Sequence, residues 1–265
     1  MANEKKFGVC HICGFETALT FEHVPPRAAL NDRPLVGAHL AKLIGDVSLE
    51  MHDKPKGPIF QKGGGAYTLC DKCNNNSGVW YGNAFVDWAY QGLQLSQHAT
   101  VAPSLYHIFR IFPLRVLKQI ICMFFSTNGS NFQKIHPDLV RFVLNRDEMH
   151  LKPKVKIYTY FNISPRSRQT GMVGLLNLNA RSFSLFSEIA FPPFGYVMAI
   201  DSAPHDDRLV EISFFSHCRY NDWKDISLRL PIFPIYTYLP GDYRDREAVS
   251  DHLSRYVPGR SDSTI

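Results

Sequence analysis

The sequence predicts an α+β chain, with a small cysteine-paired module over residues 1–98 and a larger α+β domain over residues 99–265 built on a mainly antiparallel sheet. Three observations carry that reading. The pairs Cys10-His11-Ile12-Cys13 and Cys70-Asp71-Lys72-Cys73 bracket the first part. Apolar runs of helical length fall between about residues 105 and 144. Strand-like runs then continue to about residue 238, and no helical pattern alternates with them, which disfavours a parallel sheet.

Taken in order, Phe7 to Thr20 reads as a knuckle followed by a short strand, with Gly14 where a tight turn after Cys13 needs a permissive backbone. Pro25-Pro26 ends that strand. A short helix is predicted at Val36–Ile44. Pro58–Gln61 and Ala66–Leu69 flank Lys62-Gly63-Gly64-Gly65, the pattern of a hairpin with a glycine turn. From Cys73 onward, Val79, Trp80, Phe85, Val86, Trp88, Ala89, Leu93 and Leu95 recur at roughly helical spacing. Leu105–Phe112, Leu114–Ser126 and Pro137–Leu144 are predicted helices. Val155–Phe161, Met172–Leu178, Phe183–Ala190, Tyr196–Ile200, Leu209–Ser216, Ile226–Leu230 and Ile235–Tyr238 are predicted strands, and the polar tail Pro258–Ile265 is expected to be loose.

Composition sets the bounds. At 45% hydrophobic and 20% charged residues over 265 positions, the chain can bury a real core, and disorder is set aside. The start, Met-Ala-Asn-Glu-Lys-Lys-Phe, lacks the apolar region of a secretory signal. The longest apolar run, Ile120–Phe125, is far short of the roughly 18 residues a membrane span needs, so no membrane association and a cytoplasmic location are expected. Net charge is +5, and all of the excess follows residue 95. A mildly basic surface of that kind suits nucleic acid, and it equally suits an ordinary solvated surface. Lys152, Lys154 and Lys156, with Arg166 and Arg168, read better as solubilising edge charges than as phosphate contacts. The aromatic runs Phe191–Tyr196 and Phe233–Tyr238 read as core rather than as base-stacking platforms.

Six cysteines without a signal segment point to a reducing compartment, where thiolates bind metal more readily than they pair. Cys122 and Cys218 lie in apolar stretches and read as small hydrophobes. The other four, Cys10, Cys13, Cys70 and Cys73, make two CxxC pairs, the ligand set of a closed tetrahedral zinc site. A redox role for either pair is disfavoured because neither follows a βαβ pattern. His11, inside the first pair, is expected to be exposed and not a ligand.

Between and after the pairs stand Leu19-Thr20-Phe21-Glu22-His23-Val24-Pro25-Pro26 and Asn74-Asn75-Asn76-Ser77-Gly78. The order CxxCG, LTxEHVPP, CxxCN resembles the HNH endonuclease family in its zinc-stapled form, over about residues 7–95 only. The resemblance implies a ββα-metal (treble-clef) nuclease module in which structural Zn²⁺ clamps a hairpin and a helix. It implies that His23 is the general base that activates water. It implies further that Glu22 and Asn74 hold a catalytic Mg²⁺ or Mn²⁺ against the scissile phosphate of nucleic acid, most readily DNA, with a place in restriction or anti-phage defence. The residue types suit that chemistry: histidine titrates near neutral pH, and a carboxylate with an amide oxygen suits a hard cation. Lys54, Lys56 and Lys62 are candidate phosphate contacts. One position departs from the family: its orienting Asn of the middle strand would fall near Gly65 or Ala66 here, so either another group such as Gln61 or a backbone carbonyl holds His23 instead, or activity is weak. Alternatives stay open at this point. The module could bind nucleic acid or protein without cleaving it, or the metal could only staple the N-terminus.

Overall fold

Phe7–Val9 (β1) and Glu16–His23 (β2) form a hairpin around the first cysteine pair, in a computed structural model that describes residues 6–37, 57–97, 103–164, 166–177 and 182–254. Gly14 sits at φ +75°, a conformation side chains disfavour, and its N–H closes the turn on the Cys10 carbonyl at 2.9 Å. Leu35–Val36 (β3) pairs with Ile59–Phe60 (β4). Gly65–Cys70 (β5) pairs with β2, completing the sheet β1-β2-β5 and setting Leu19 opposite Cys70. That pairing brings the second cysteine pair onto the first.

The predicted hairpin between residues 58–61 and 66–69 does not form. Its glycines serve a different purpose. Gly64 exchanges hydrogen bonds with the Asn31 amide and accepts one from the Val24 N–H, so the loop packs on residues 24–31 rather than folding back on itself. The predicted helix at 36–44 falls largely outside the described residues, and the tail 258–265 lies wholly outside them.

Asp71–Ser77 (α1) starts directly at Cys70, whose sulfur accepts the Cys73 N–H at 3.4 Å. A π-helical turn, Gly78–Gly82, joins it to Asn83–Ser96 (α2). Ala84, Phe85, Trp88, Ala89 and Gly92 of α2 are buried, one stripe of the helix. The predicted helix at 105–112 is instead a strand, Ser104–Ile111 (β6). Burial there alternates with period two, but the outward positions Tyr106 and Ile108 are themselves apolar, which hides the alternation in the sequence.

Pro113–Thr127 (α3) and Pro137–Leu144 (α5) are helices as predicted, with the short Phe132–Ile135 (α4) between them. Val155–Asn162 (β7), Arg168–Asn177 (β8), Ser182–Phe191 (β9), Phe194–Ile200 (β10), Val210–Glu211 (β11) and Lys224–Phe233 (β12) follow, then Arg246–Ser254 (α6). The large sheet runs β6-β12-β7-β10-β9-β8, with β11 also on β7. It is antiparallel except where β12 meets β7.

One predicted strand is cut short and another is not a strand. Of 209–216, only Val210 and Glu211 pair; a 3₁₀ turn, Ser213–His217, then buries Phe215. Residues 235–238 pair with no strand, because Arg166 donates to the Tyr236 carbonyl and Arg168 to those of Thr237 and Leu239. Arg168 is therefore no edge charge. It is buried against Glu188, with Nε to Oε2 at 2.8 Å. Lys156, on the interior strand β7, pairs with Glu211 of β11. The aromatic runs do join the core: Phe194, Tyr196 and Phe233 are buried.

Every residue of α3 from Val116 to Ser126 is buried, and one apolar cluster joins Cys10, Leu69 and Trp88 to α3, β7 and β10. Trp88 stacks on Phe194 at 4.5 Å and donates its indole N–H to the Tyr196 hydroxyl at 2.8 Å. Residues before 98 and after 102 thus share a core, and the segment between them lies outside the described residues. Among the described residues, no helix is long and apolar enough to cross a membrane.

Candidate functional site

The ligand atoms of Cys10, Cys13, Cys70 and Cys73 all lie within 4.8 Å of one another, and Cys13 Sγ is 3.8 Å from Cys70 Sγ. A tetrahedron of thiolates about 2.3 Å from a zinc ion has edges of about 3.8 Å, so these four residues could hold such an ion. Backbone N–H groups already point at the sulfurs: Cys70 N–H donates to Cys10 Sγ at 3.3 Å. Hydrogen bonding from the Cys73 thiol holds Cys10 down at about 4, whereas burial pushes Cys13 up to about 11. Four thiols this close cannot all ionise without a cation to gather the charge. His11 is half-buried rather than exposed, with Nδ1 3.0 Å from the Phe125 carbonyl, and ties the knuckle to α3. Cys122 and Cys218 are buried away from the four.

Beside the cysteines a cavity of about 210 Å³ is lined by Phe21, Glu22, His23, Pro26, Arg27 and Asn74, with Ser77, Gly78, Gly82 and Gln119. The three side chains singled out as reactive therefore meet in one place. β2 delivers Glu22 and His23 at its end, and α1 delivers Asn74 from its first turn.

Hydrogen bonds fix which atoms each residue has to offer. His23 Nε2 lies 3.0 Å from the Lys62 carbonyl, which can only accept, so Nε2 carries the proton and the neutral ring keeps its lone pair on Nδ1. A backbone carbonyl thus holds the His23 ring. Nothing larger than glycine fits at position 65, opposite His23 in the register: a Cβ there would stand 2.1 Å from the Glu22 carbonyl oxygen. Asn74 is oriented by a relay. Thr20 Oγ1 spends its proton on the Leu69 carbonyl at 2.9 Å, so its 2.9 Å contact with Asn74 must receive an N–H. That leaves the Asn74 amide oxygen unspent.

Glu22 is 7% exposed, and among the described residues nothing donates to its carboxylate. Burial alone pushes it up to about 8. A buried carboxylate without a partner, beside an unspent amide oxygen, is a donor set that fits a hard divalent cation.

Asn31, which the sequence motif does not include, holds the loop that holds His23. It is 1% exposed, donates at 2.7 Å to the carbonyls of both Pro25 and Gly64, and accepts the Gly64 N–H at 2.7 Å. Gln169 of β8 donates to the Val24 carbonyl and anchors the same turn to the large sheet. Arg27 and Gln119 also line the cavity and were missed. The Lys62 side chain is exposed and not part of the lining; its contribution is its carbonyl. Lys54 and Lys56 lie outside the described residues. Gly78 and Gly82 leave the cavity open, since a Cβ at either would meet nothing within 4 Å.

No protein-family model, curated protein or solved structure matches this chain.

Proposed function

We propose that this chain is a metal-dependent endonuclease of the HNH type that cleaves phosphodiester bonds of nucleic acid, DNA foremost. The observation that carries the reading is the convergence of Glu22, His23 and Asn74 on one cavity next to four clustered cysteines. In this reading the cysteines bind Zn²⁺ and staple β1, β2, β5 and α1 into a treble-clef module. Mg²⁺ or Mn²⁺, held by Glu22 and the Asn74 amide oxygen, supplies Lewis-acid stabilisation of the scissile phosphate and of the departing oxygen.

The chain's own residues do the rest. His23 Nδ1 takes a proton from water as the water oxygen bonds to phosphorus; the bond from phosphorus to the departing strand breaks, and that oxygen takes a proton from solvent. The Lys62 carbonyl stabilises the imidazolium that results, because Nε2–H is already directed at it. Arg27, exposed at the cavity, supplies positive charge to the phosphate. The neutral ring is the competent one, because Nδ1 needs a free lone pair to take the proton.

Nicking of supercoiled plasmid in Mg²⁺ or Mn²⁺ tests the reading. Glu22→Ala raises the metal concentration needed and is partly rescued by excess metal, and Asn74→Ala does the same to a smaller degree because an amide brings no charge. Salt-sensitive DNA binding with no nicking at any metal concentration would instead make this a non-catalytic zinc module.

A further inference from the structure

α3 runs Pro-Leu-Arg-Val-Leu-Lys-Gln-Ile-Ile-Cys-Met-Phe-Phe-Ser-Thr through the middle of the core, and two of its fully buried side chains are strongly polar. Lys118 has an evident purpose. Its ammonium donates to the carbonyls of Asn145 at 2.6 Å and Arg146 at 3.1 Å, where α5 ends, and it lies over the Phe142 ring at 4.5 Å. Gln119 has none of this kind. It is 1% exposed, its Oε1 is buried with no hydrogen-bond partner, and it lines the cavity that also holds Glu22 and Asn74. Leaving a buried amide oxygen unsatisfied costs roughly what a lost hydrogen bond costs, and an apolar residue of similar size would avoid it.

We infer that Gln119 is a third oxygen donor to the divalent ion assigned to this cavity, reaching it from the half of the chain that the HNH-like motif does not cover. The inference rests on the proposed nuclease site. Three residues, each with an oxygen that has no hydrogen-bond partner among the described residues, then line one cavity from three elements: Glu22 from β2, Asn74 from α1 and Gln119 from α3. Hard divalent cations take six or more oxygens, and a neutral amide oxygen adds a ligand without adding charge. The arrangement also explains why the module packs so closely on α3. Thr68 of β5 donates to Ser126 at 3.0 Å, and His11 meets Phe125 O, so the two contacts seat α3 against β5 and the knuckle. The ion site is complete only when α3 is docked.

Mn²⁺ titration of the full-length, zinc-loaded protein, read by the electron paramagnetic resonance of free Mn²⁺, tests this without any nuclease assay. Wild type binds one Mn²⁺ in the cavity and Glu22→Gln loses it. Gln119→Leu weakens Mn²⁺ binding about tenfold or more, while its metal-free unfolding midpoint equals or exceeds that of wild type. Gln119→Glu binds Mn²⁺ more tightly than wild type and gains more thermal stability on adding it. If Gln119→Leu and Gln119→Glu both bind as wild type does while Glu22→Gln does not, the Gln119 inference falls and the nuclease site stands. Lower metal-free stability in Gln119→Leu with unchanged Mn²⁺ affinity would assign Gln119 to a hydrogen bond within the protein and overturn the inference. No Mn²⁺ binding by wild type would remove the ion site and the inference together.

Discussion

Asn31→Ala removes the clamp behind the proposed base, and the structure sets its size. The side chain makes three hydrogen bonds of 2.7 Å, and all three partners are backbone groups of Pro25 and Gly64 in a site where Asn31 is 1% exposed. Each such group left unpaired costs roughly 1–3 kcal/mol, and partial relaxation or water entry brings the expected total to about 3 kcal/mol. For a chain of this length that is a fall in unfolding midpoint of roughly 6–12 °C. Asn31→Asp is no rescue: it keeps the acceptor for Gly64 N–H but turns both donated bonds into oxygen facing oxygen. Catalysis is affected independently, because Lys62, whose carbonyl orients His23, is two residues from Gly64. Misplacing a base by about 1 Å can cost up to about 10²-fold in rate. Thermal unfolding and plasmid nicking, measured side by side below the lowered midpoint, read both effects. A midpoint within 1 °C of wild type with an unchanged rate would refute the clamp.

Metal analysis of protein purified without added metal should find one zinc per chain, lost when Cys70→Ser and Cys73→Ser are combined; loss should also lower stability strongly, since the four cysteines tie three strands to a helix. Zinc retained by that double variant would exclude the cysteine site. Burial holds Glu22 up at about 8 in the metal-free chain, so from about pH 4.5 to 8 the folded state keeps a proton that the unfolded state has released. Metal-free stability therefore falls as pH rises through that window, and Glu22→Gln should lack this slope; parallel profiles for the two proteins would contradict it. Mn²⁺ must displace the same proton, so apparent Mn²⁺ affinity should rise about tenfold per pH unit up to about 8. Gly82→Leu should block the cavity and abolish nicking with stability unchanged or slightly raised, because the added Cβ meets nothing within 4 Å and leucine favours helix over glycine. Full activity in that variant would place the reacting centre elsewhere.

What the sequence made legible was local. The two CxxC pairs, the Glu22-His23 step and Asn74 sit in short motifs, so the residues that meet at the cysteines and the cavity could be named from spacing and residue type. Asn31 and Gln119 could not, because each reaches the site through packing between distant segments, whereas Arg27 directly follows Pro25-Pro26 but a lone arginine there has no signature of a site. Gln119 did leave a trace, a neutral amide in a run otherwise suited to complete burial, but Lys118 beside it blurred the signal. The carbonyl that holds His23 has no residue-type signature at all, since any residue at position 62 would present one. In the larger sheet, strands with inward faces on both sides, such as β7 and β10, announced themselves as apolar runs, whereas β6 was obscured by apolar residues on its open face. Residues 235–238 have strand composition, but Arg166 and Arg168 occupy the carbonyls of Tyr236 and Thr237.

The central claim is that His23 is a general base in a metal-dependent nuclease, and plasmid nicking by wild type beside His23→Ala, in saturating Mg²⁺ or Mn²⁺, tests it most directly. Removing Nδ1 leaves the cysteine cluster and the core untouched, so zinc content and unfolding midpoint should match wild type. The rate of nicking should fall roughly 10²–10⁴-fold, the usual contribution of a positioned base. A His23→Ala protein that is folded, zinc-loaded and nicks DNA at the wild-type rate would contradict the account.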